Sequence, residues 1–158
     1  MEYHGLVQVS DHLLWLVQDP SPHDLVPPPT GVPGFVHFGN GGAIIKTGVA
    51  GGQVDVTVAV LDEGPPLDVT TWEDIDEGDL LTEAGGVYVA GGYSFENIIP
   101  GSGDTLIART ASAHRVRVSA SGRAANFDEA GDDERYFIQM WPVTETTEGV
   151  VHRFQSGR

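Results

Sequence analysis

The sequence predicts an all-β chain folded as a single-domain antiparallel β-sandwich, jelly-roll-like, with about ten short strands and little helix. Three observations carry that expectation. Apolar residues alternate with polar ones at a period of two in several segments, and no helical pattern of ten or more residues survives beside them. Turn-forming Gly, Pro, Asn and Asp clusters recur every 8–12 residues or so, the spacing of short hairpin-linked strands. The 158 residues contain 40% apolar and 8% aromatic side chains, enough for one packed core.

Gly5 to Val9 and Leu13 to Gln18 read as two short strands around a Ser10-Asp11 turn. Residues 19–33 hold six of the ten prolines. Proline fixes φ and supplies no ladder donor, so this stretch reads as a Pro-rich surface loop within the domain. Gly34 to Phe38 is a short strand that ends at Gly39-Asn40-Gly41-Gly42, residues that tolerate positive φ. Ala43 to Val49 follows, then Gly51-Gly52. Gln53 to Leu61 is the clearest strand, with Val54, Val56, Val58 and Val60 on one face. Asp62-Glu63-Gly64-Pro65-Pro66 stops it. Trp72 to Leu81 is assigned to strand because Gly78 and Asp79 interrupt any helix.

Val87 to Val89 and Ser94 to Ile98 are weaker strands in a glycine-rich region, and Thr105 to Arg109 is short. His114 to Ala120 alternates His114, Val116, Val118 and Ala120 against Arg115, Arg117 and Ser119. Asp128 to Glu134 reads as an acidic loop. Tyr136 to Trp141 is a strong strand that Pro142 should stop, and Val150 to Phe154 adds a final edge segment. No internal period and no long linker divide the chain, so residues 1–158 are expected to form one domain.

Charge is the second source of information. The chain has 23 Asp+Glu and 8 Lys+Arg, a formal net charge of −15. Direct binding to nucleic acid or anionic lipid needs Lys and Arg against phosphate, so neither is expected. The charge is also uneven. Up to Ala108 there are 16 acids and one base, Lys46, whereas the remainder has 7 acids and 7 Arg. Ten acids fall in the 29 residues from Asp55 to Glu83, with no base among them. Three readings fit such a segment: a solvated face of biased composition, a surface complementary to a basic protein, or a cation site. Glu73, Asp74, Asp76, Glu77 and Asp79 are the residues expected to meet such a partner. Arg115 and Arg117, flanked by Arg109 and Arg123, are the alternative, internal counter-charge. Exposed pairs of that kind contribute about 0–1 kcal/mol each.

Catalytic and metal signatures are missing from the sequence. Cysteine is absent, which removes disulfides and thiolate chemistry. His4, His12, His23, His37, His114 and His152 show no H-x-H or H-E-x-x-H spacing. No G-x-S-x-G occurs. Asp74-Ile75-Asp76-Glu77-Gly78-Asp79 fails as a calcium loop, with Gly78 at the fifth position and Gly85 at the twelfth where oxygen ligands belong. No enzyme, cofactor or metal is therefore expected. The chain also has no basic N-terminal region and no apolar run near the roughly 20 residues of a spanning helix, and a cytoplasmic protein without membrane contact is the expectation.

Val49 to Val60 (VAGGQVDVTVAV), Thr71 to Glu77 (TWEDIDE), His114 to Arg123 (HRVRVSASGR) and Tyr136 to Pro142 (YFIQMWP) occur in that order. Over about residues 43–143 this order resembles a group of small, uncharacterised actinobacterial all-β proteins. The layout is more loosely similar to the competence-protein-J type of β-sandwich nuclease inhibitor and to immunity proteins of bacterial toxin systems. The resemblance implies no catalytic residue. It implies a non-enzymatic acidic protein that engages a basic partner, a toxin or nuclease. The alternative is a β-module that binds a cation at the acidic segment, or a carbohydrate on a platform built from Trp72 or Trp141.

Overall fold

A computed structural model describes residues 1–18, 34–39, 42–81, 86–101, 103–107, 113–125, 127–131 and 133–145, and the backbone of 153–154. The Pro-rich segment 19–33 lies outside the described residues, as do Asp19, Asp24, Glu83, Asp132 and Glu148. The described residues form ten strands: β1 (Glu2–Ser10), β2 (Leu13–Gln18), β3 (Val36–Gly39), β4 (Gly42–Lys46), β5 (Gly51–Val60), β6 (Asp74–Leu81), β7 (Val87–Gly91), β8 (Ala113–Ser121), β9 (Arg135–Val143) and β10 (Arg153–Phe154). The described residues contain no helix, and thus none long and apolar enough to cross a membrane. The all-β class agrees with the sequence.

The strands form one continuous sheet in the order β10-β6-β8-β9-β5-β1-β2-β4-β3, with β7 added on β2. The two-sheet sandwich expected from the sequence is not confirmed. The ladder is also mixed rather than wholly antiparallel, because β5 and β9 run parallel from Asp55↔Arg135 to Val60↔Met140. Their separation in sequence permits this: β6, β7 and β8 all intervene, so no hairpin constrains the direction of the pair. β1 and β2 are joined at Ser10↔Leu13, through Asp11 and His12 at positive φ, the backbone of a tight primed hairpin turn. Beyond that point β1 follows β5, while β2 pairs with β4 and β7.

The sheet curls until β3 faces β6. One large core fills the enclosed space: Val7 and Val9, Leu14 and Leu16, Val54, Val56 and Val58, Val116 and Val118, Ile138 and Met140 are all buried there. These are the alternate positions of β1, β2, β5, β8 and β9, as a period of two requires. β2 is apolar on both faces. Its outward Leu13, Trp15 and Val17 form a second cluster with Ile44 and Ala90, and Tyr88 and Phe95 pack on it.

Two expected segments differ. Ser94–Ile98 is irregular rather than a strand; of the expected Thr105–Arg109 strand, residues 105–107 contribute an isolated bridge, Val87↔Ile107, and residues 108–109 lie outside the described residues. β9 runs past Pro142 to Val143. Pro142 lies beyond the last β5–β9 pair, so its missing N–H costs that ladder nothing.

Side chains, not a ladder, fasten the β3–β6 seam. Phe35 N and Val36 N donate to Asp76 Oδ2 at 3.2 and 3.1 Å. A Cβ on Gly78 would drive into the Phe38 ring, so only glycine admits that ring over β6. Gly78→Ala is expected to lower stability by about 1–3 kcal/mol through overpacking. Urea denaturation followed by circular dichroism checks this, and an unchanged midpoint would show that the seam has slack.

Candidate binding surface and the buried charge network

β6 and β8 pair antiparallel, with Glu77 opposite Arg117 and Asp79 opposite Arg115. These four side chains point away from the core, because the alternate residues Val116 and Val118 point into it. Glu77 bridges the two arginines: Arg115 Nε donates to its Oε1 and Arg117 Nε to its Oε2, both at 2.8 Å. Arg115 Nη1 donates to Asp79 Oδ1 at 3.0 Å. This is the internal pairing that the Arg strand offered as the alternative to a basic partner.

The network faces outward and is nonetheless covered. Residues 61–73 cross it as a strap. Arg117 Nη1 donates to the carbonyls of Pro65 and Pro66 at 3.0 and 3.3 Å. Gly64 lies against the Trp141 indole, and the Arg117 guanidinium sits 5.1 Å from that ring's centroid. Trp72 packs on Phe137 at 5.9 Å between centroids. Thr71 and Thr70 donate to Asp68 and hold its carboxyl at about 2, which fixes the turn before Trp72. Glu77, Arg115 and Arg117 are each only 8% exposed. Burial pushes the Glu77 carboxyl up, and hydrogen bonds from Arg115 and Arg117 with their positive charge outweigh it, so the group stays below its usual range.

The opposite face of β6 puts acids inside the curl. Asp74 and Asp76 are both fully buried. Arg123 Nη1 donates to Asp74 Oδ2 at 2.9 Å, and Nη2 donates to Lys46 O at 3.1 Å. The Arg123 guanidinium stacks 4.6 Å from the Phe35 centroid. Asp76 accepts from Phe35 N and Val36 N, and its Oδ1 accepts from Glu77 N at 2.9 Å. Nearby, Glu134 accepts from Gly48 N at 2.9 Å, Val49 N at 3.0 Å and the Tyr136 hydroxyl. Burial raises the Glu134 carboxyl above its usual range, against those donors and the Arg123 charge.

The five acids assigned to a partner are therefore divided by the fold. Asp74, Asp76 and Glu77 are buried on internal donors, and the Asp79 side chain is 12% exposed beside Arg115. Glu73 is half-buried, with Oε2 near Gly122 N at 3.4 Å. The sequence placed Arg115 and Arg117 on one strand face as internal counter-charge to the acidic segment, without naming which acid they meet and without anticipating the inward acids. For Glu134 a signal existed: Glu134, Tyr136, Ile138 and Met140 share one parity, so the inward face of β9 extends back to the acid.

The exposed charge lies elsewhere. Asp62, Glu63 and Asp68 on the strap are exposed, as are Glu96 and Asp104, and Asp128, Glu129 and Asp133. Among the described side chains, Arg135 is the one exposed arginine, and its guanidinium lies 5.4 Å from the Trp72 centroid. Among the described residues no group of three or more His, Asp or Glu is arranged to hold a metal ion. His4 contacts Asp55 at 2.8 Å, and His12 contacts Asp128 at 2.9 Å and Thr47 O at 2.7 Å. Trp141 is 8% exposed beneath Gly64, and Trp72 is half-covered by its neighbours, so neither offers an open ring face.

A shallow cavity of about 210 Å³, which the sequence gave no reason to expect, is lined by Tyr88, Phe95, Asn97, Gly103, Asp104 and Thr105. Comparison with known protein families, curated proteins and solved structures found no match.

Proposed function

We propose that the protein is a non-catalytic, cytoplasmic binding protein that engages a basic partner protein, in the manner of an immunity protein or nuclease inhibitor. One observation carries this reading: folding consumes Arg115, Arg117 and Arg123 in internal pairs and leaves a described surface of acids with Arg135 as its exposed arginine. A surface of one sign steers an oppositely charged partner and raises its association rate. The exposed acids of the strap and of the 96–104 and 128–133 segments form the contact, and Glu73 is the member of the β6 group that reaches it. The buried carboxylates are spent on amides and guanidinia, which supports a structural role for them.

Such binding depends on salt, because the screening length falls from about 10 Å at 0.1 M to about 3 Å at 1 M. Immobilised protein exposed to lysate of its native host at low ionic strength is expected to retain a basic protein and to release it in high salt. Retention of no basic protein, or retention indifferent to salt, would contradict the proposal.

A further inference from the structure

The hydrogen bonds of β1 show which of its groups face away from β5. Met1 N donates to Val60 O at 3.0 Å and Val60 N to Met1 O at 2.8 Å. Met1 and Val60 are thus a hydrogen-bonded pair, and such pairs alternate along an antiparallel ladder. Tyr3, Gly5 and Val7 therefore bond β5, in register with Val58, Val56 and Val54. Glu2, His4 and Leu6 turn their backbone N–H and C=O groups the other way. Asp55, opposite Leu6, agrees with this parity: its N donates to Glu134 O at 3.1 Å rather than to β1.

That second edge of β1 pairs with β2 at Ser10↔Leu13 and with no other strand among the described residues. At Gln8 it is covered, since Gly91 lies against the Gln8 carbonyl. From Glu2 to Leu6 it is open: Glu2, His4 and Leu6 are exposed, Leu6 at 55%. Asp55 holds the His4 ring on the β5 side, off the open edge. Edge strands are commonly guarded by Lys, Pro or a bulge. β1 has neither Lys nor Pro, and its register with β5 is unbroken from Glu2 to Ser10. A further strand can extend the sheet here.

Charge selects that strand. The exposed acids of the strap and of the 96–104 and 128–133 segments suit a basic protein and repel another copy of this chain. The open edge carries one acid, Glu2, and Asp55 beside it is paired with His4. Two β1 strands also match each other. With Gln8 covered, the antiparallel register that uses the whole open edge is centred on His4. It sets Glu2 of each copy opposite Leu6 of the other, so no acid faces an acid.

We propose that two copies of the chain pair through the open edges of β1, antiparallel about a two-fold axis at His4, and continue one sheet across the dimer. The proposal goes beyond the basic-partner reading and does not rest on it. Salt separates the two, because screening weakens attraction to a basic protein but relieves repulsion between chains of net charge −15.

Sedimentation equilibrium of the full chain up to about 1 mM is expected to show a monomer–dimer equilibrium that tightens from about 0.05 to about 0.5 M salt. Hydrogen exchange read by NMR locates the contact: the His4 and Leu6 amides should slow as concentration rises, while Gly5 and Val7, bonded to β5, are slow throughout. Leu6→Glu sets like charges opposite each other twice and should weaken the dimer at least about tenfold. Adding Glu2→Lys to it should restore most of the loss, whereas Gln53→Glu, the same charge added on β5, should leave the dimer unchanged. A monomer at about 1 mM in high salt, a dimer whose His4 and Leu6 amides stay fast, or one indifferent to Leu6→Glu would overturn the proposal. Protection of those amides that appears only with a captured basic partner would give the edge to that partner and overturn it too. An intact dimer that retains no basic protein would leave this proposal standing and contradict the function proposed above.

Discussion

Asp76→Ala is expected to lower the free energy of unfolding by about 3–5 kcal/mol, a large fraction of the stability of a domain this size. Asp76 is fully buried, and its carboxylate satisfies three backbone amides, those of Phe35, Val36 and Glu77. Two of those amides belong to the β3 side of the seam, and they have no ladder partner on β6. Removing the acceptor leaves buried donors without a partner, at about 1–3 kcal/mol each before relaxation, and leaves a cavity as well. Asp76→Asn keeps one acceptor oxygen but turns an amide group toward backbone N–H, so it should fall between wild type and alanine. Urea denaturation measures all three. A loss below about 1 kcal/mol for alanine would mean that Phe38 packing alone closes the seam.

Glu77→Ala is the second substitution expected to act strongly, at about 2–4 kcal/mol. It leaves Arg115 and Arg117 side by side beneath the strap, with Asp79 the carboxylate contact of Arg115 that remains among the described residues. The loss comes from stranding like charges out of water, rather than from the worth of the pair. Replacing Glu77, Arg115 and Arg117 together with apolar residues of similar volume should therefore recover most of it. The pH dependence follows from the same group. The folded-state Glu77 carboxyl is held below its usual 4.5, so its contribution is present above pH 4.5 and is lost as pH falls through the folded value. The stability gap between wild type and Glu77→Gln should narrow on acidification. Glu134 acts in the opposite sense. Its carboxyl is raised by burial, so its contribution is full below pH 4.5 and is lost as pH rises through the folded value. A gap that widens with acid would contradict the assignment of Glu77.

The period of two made most of this fold legible. Alternation in Gln53–Leu61, His114–Ala120 and Tyr136–Trp141 marked strands that are present, and it separated the inward valines from the outward arginines. Partnership was not legible, because alternation fixes which face a residue takes and says nothing of which strand lies beside it. The parallel β5–β9 pair and the single curled sheet depend on contacts far apart in the chain.

The acids of β6 show the same limit at the level of the site. Five carboxylates in seven residues look like a solvated patch if each is counted as a surface charge. Their strand parity sends Asp74 and Asp76 inward and Glu77 and Asp79 toward Arg117 and Arg115. Burial of the second pair then requires the strap, whose role no local pattern in Leu61–Glu73 announces. The cavity at Tyr88 was hidden for a related reason: it is built from an irregular segment braced on β7, where periodicity carries no information.

Carbodiimide-driven coupling of a small amine to carboxylates in the native protein, read residue by residue by mass spectrometry, tests the division of charge most directly. Asp62, Glu63, Glu96, Asp104, Asp128 and Glu129 are expected to label readily, while Asp74, Asp76, Glu77 and Glu134 stay protected until the protein is unfolded. Labelling of Asp74, Asp76 and Glu77 at the rate of Asp62 under native conditions would contradict the account and return the acidic patch to β6.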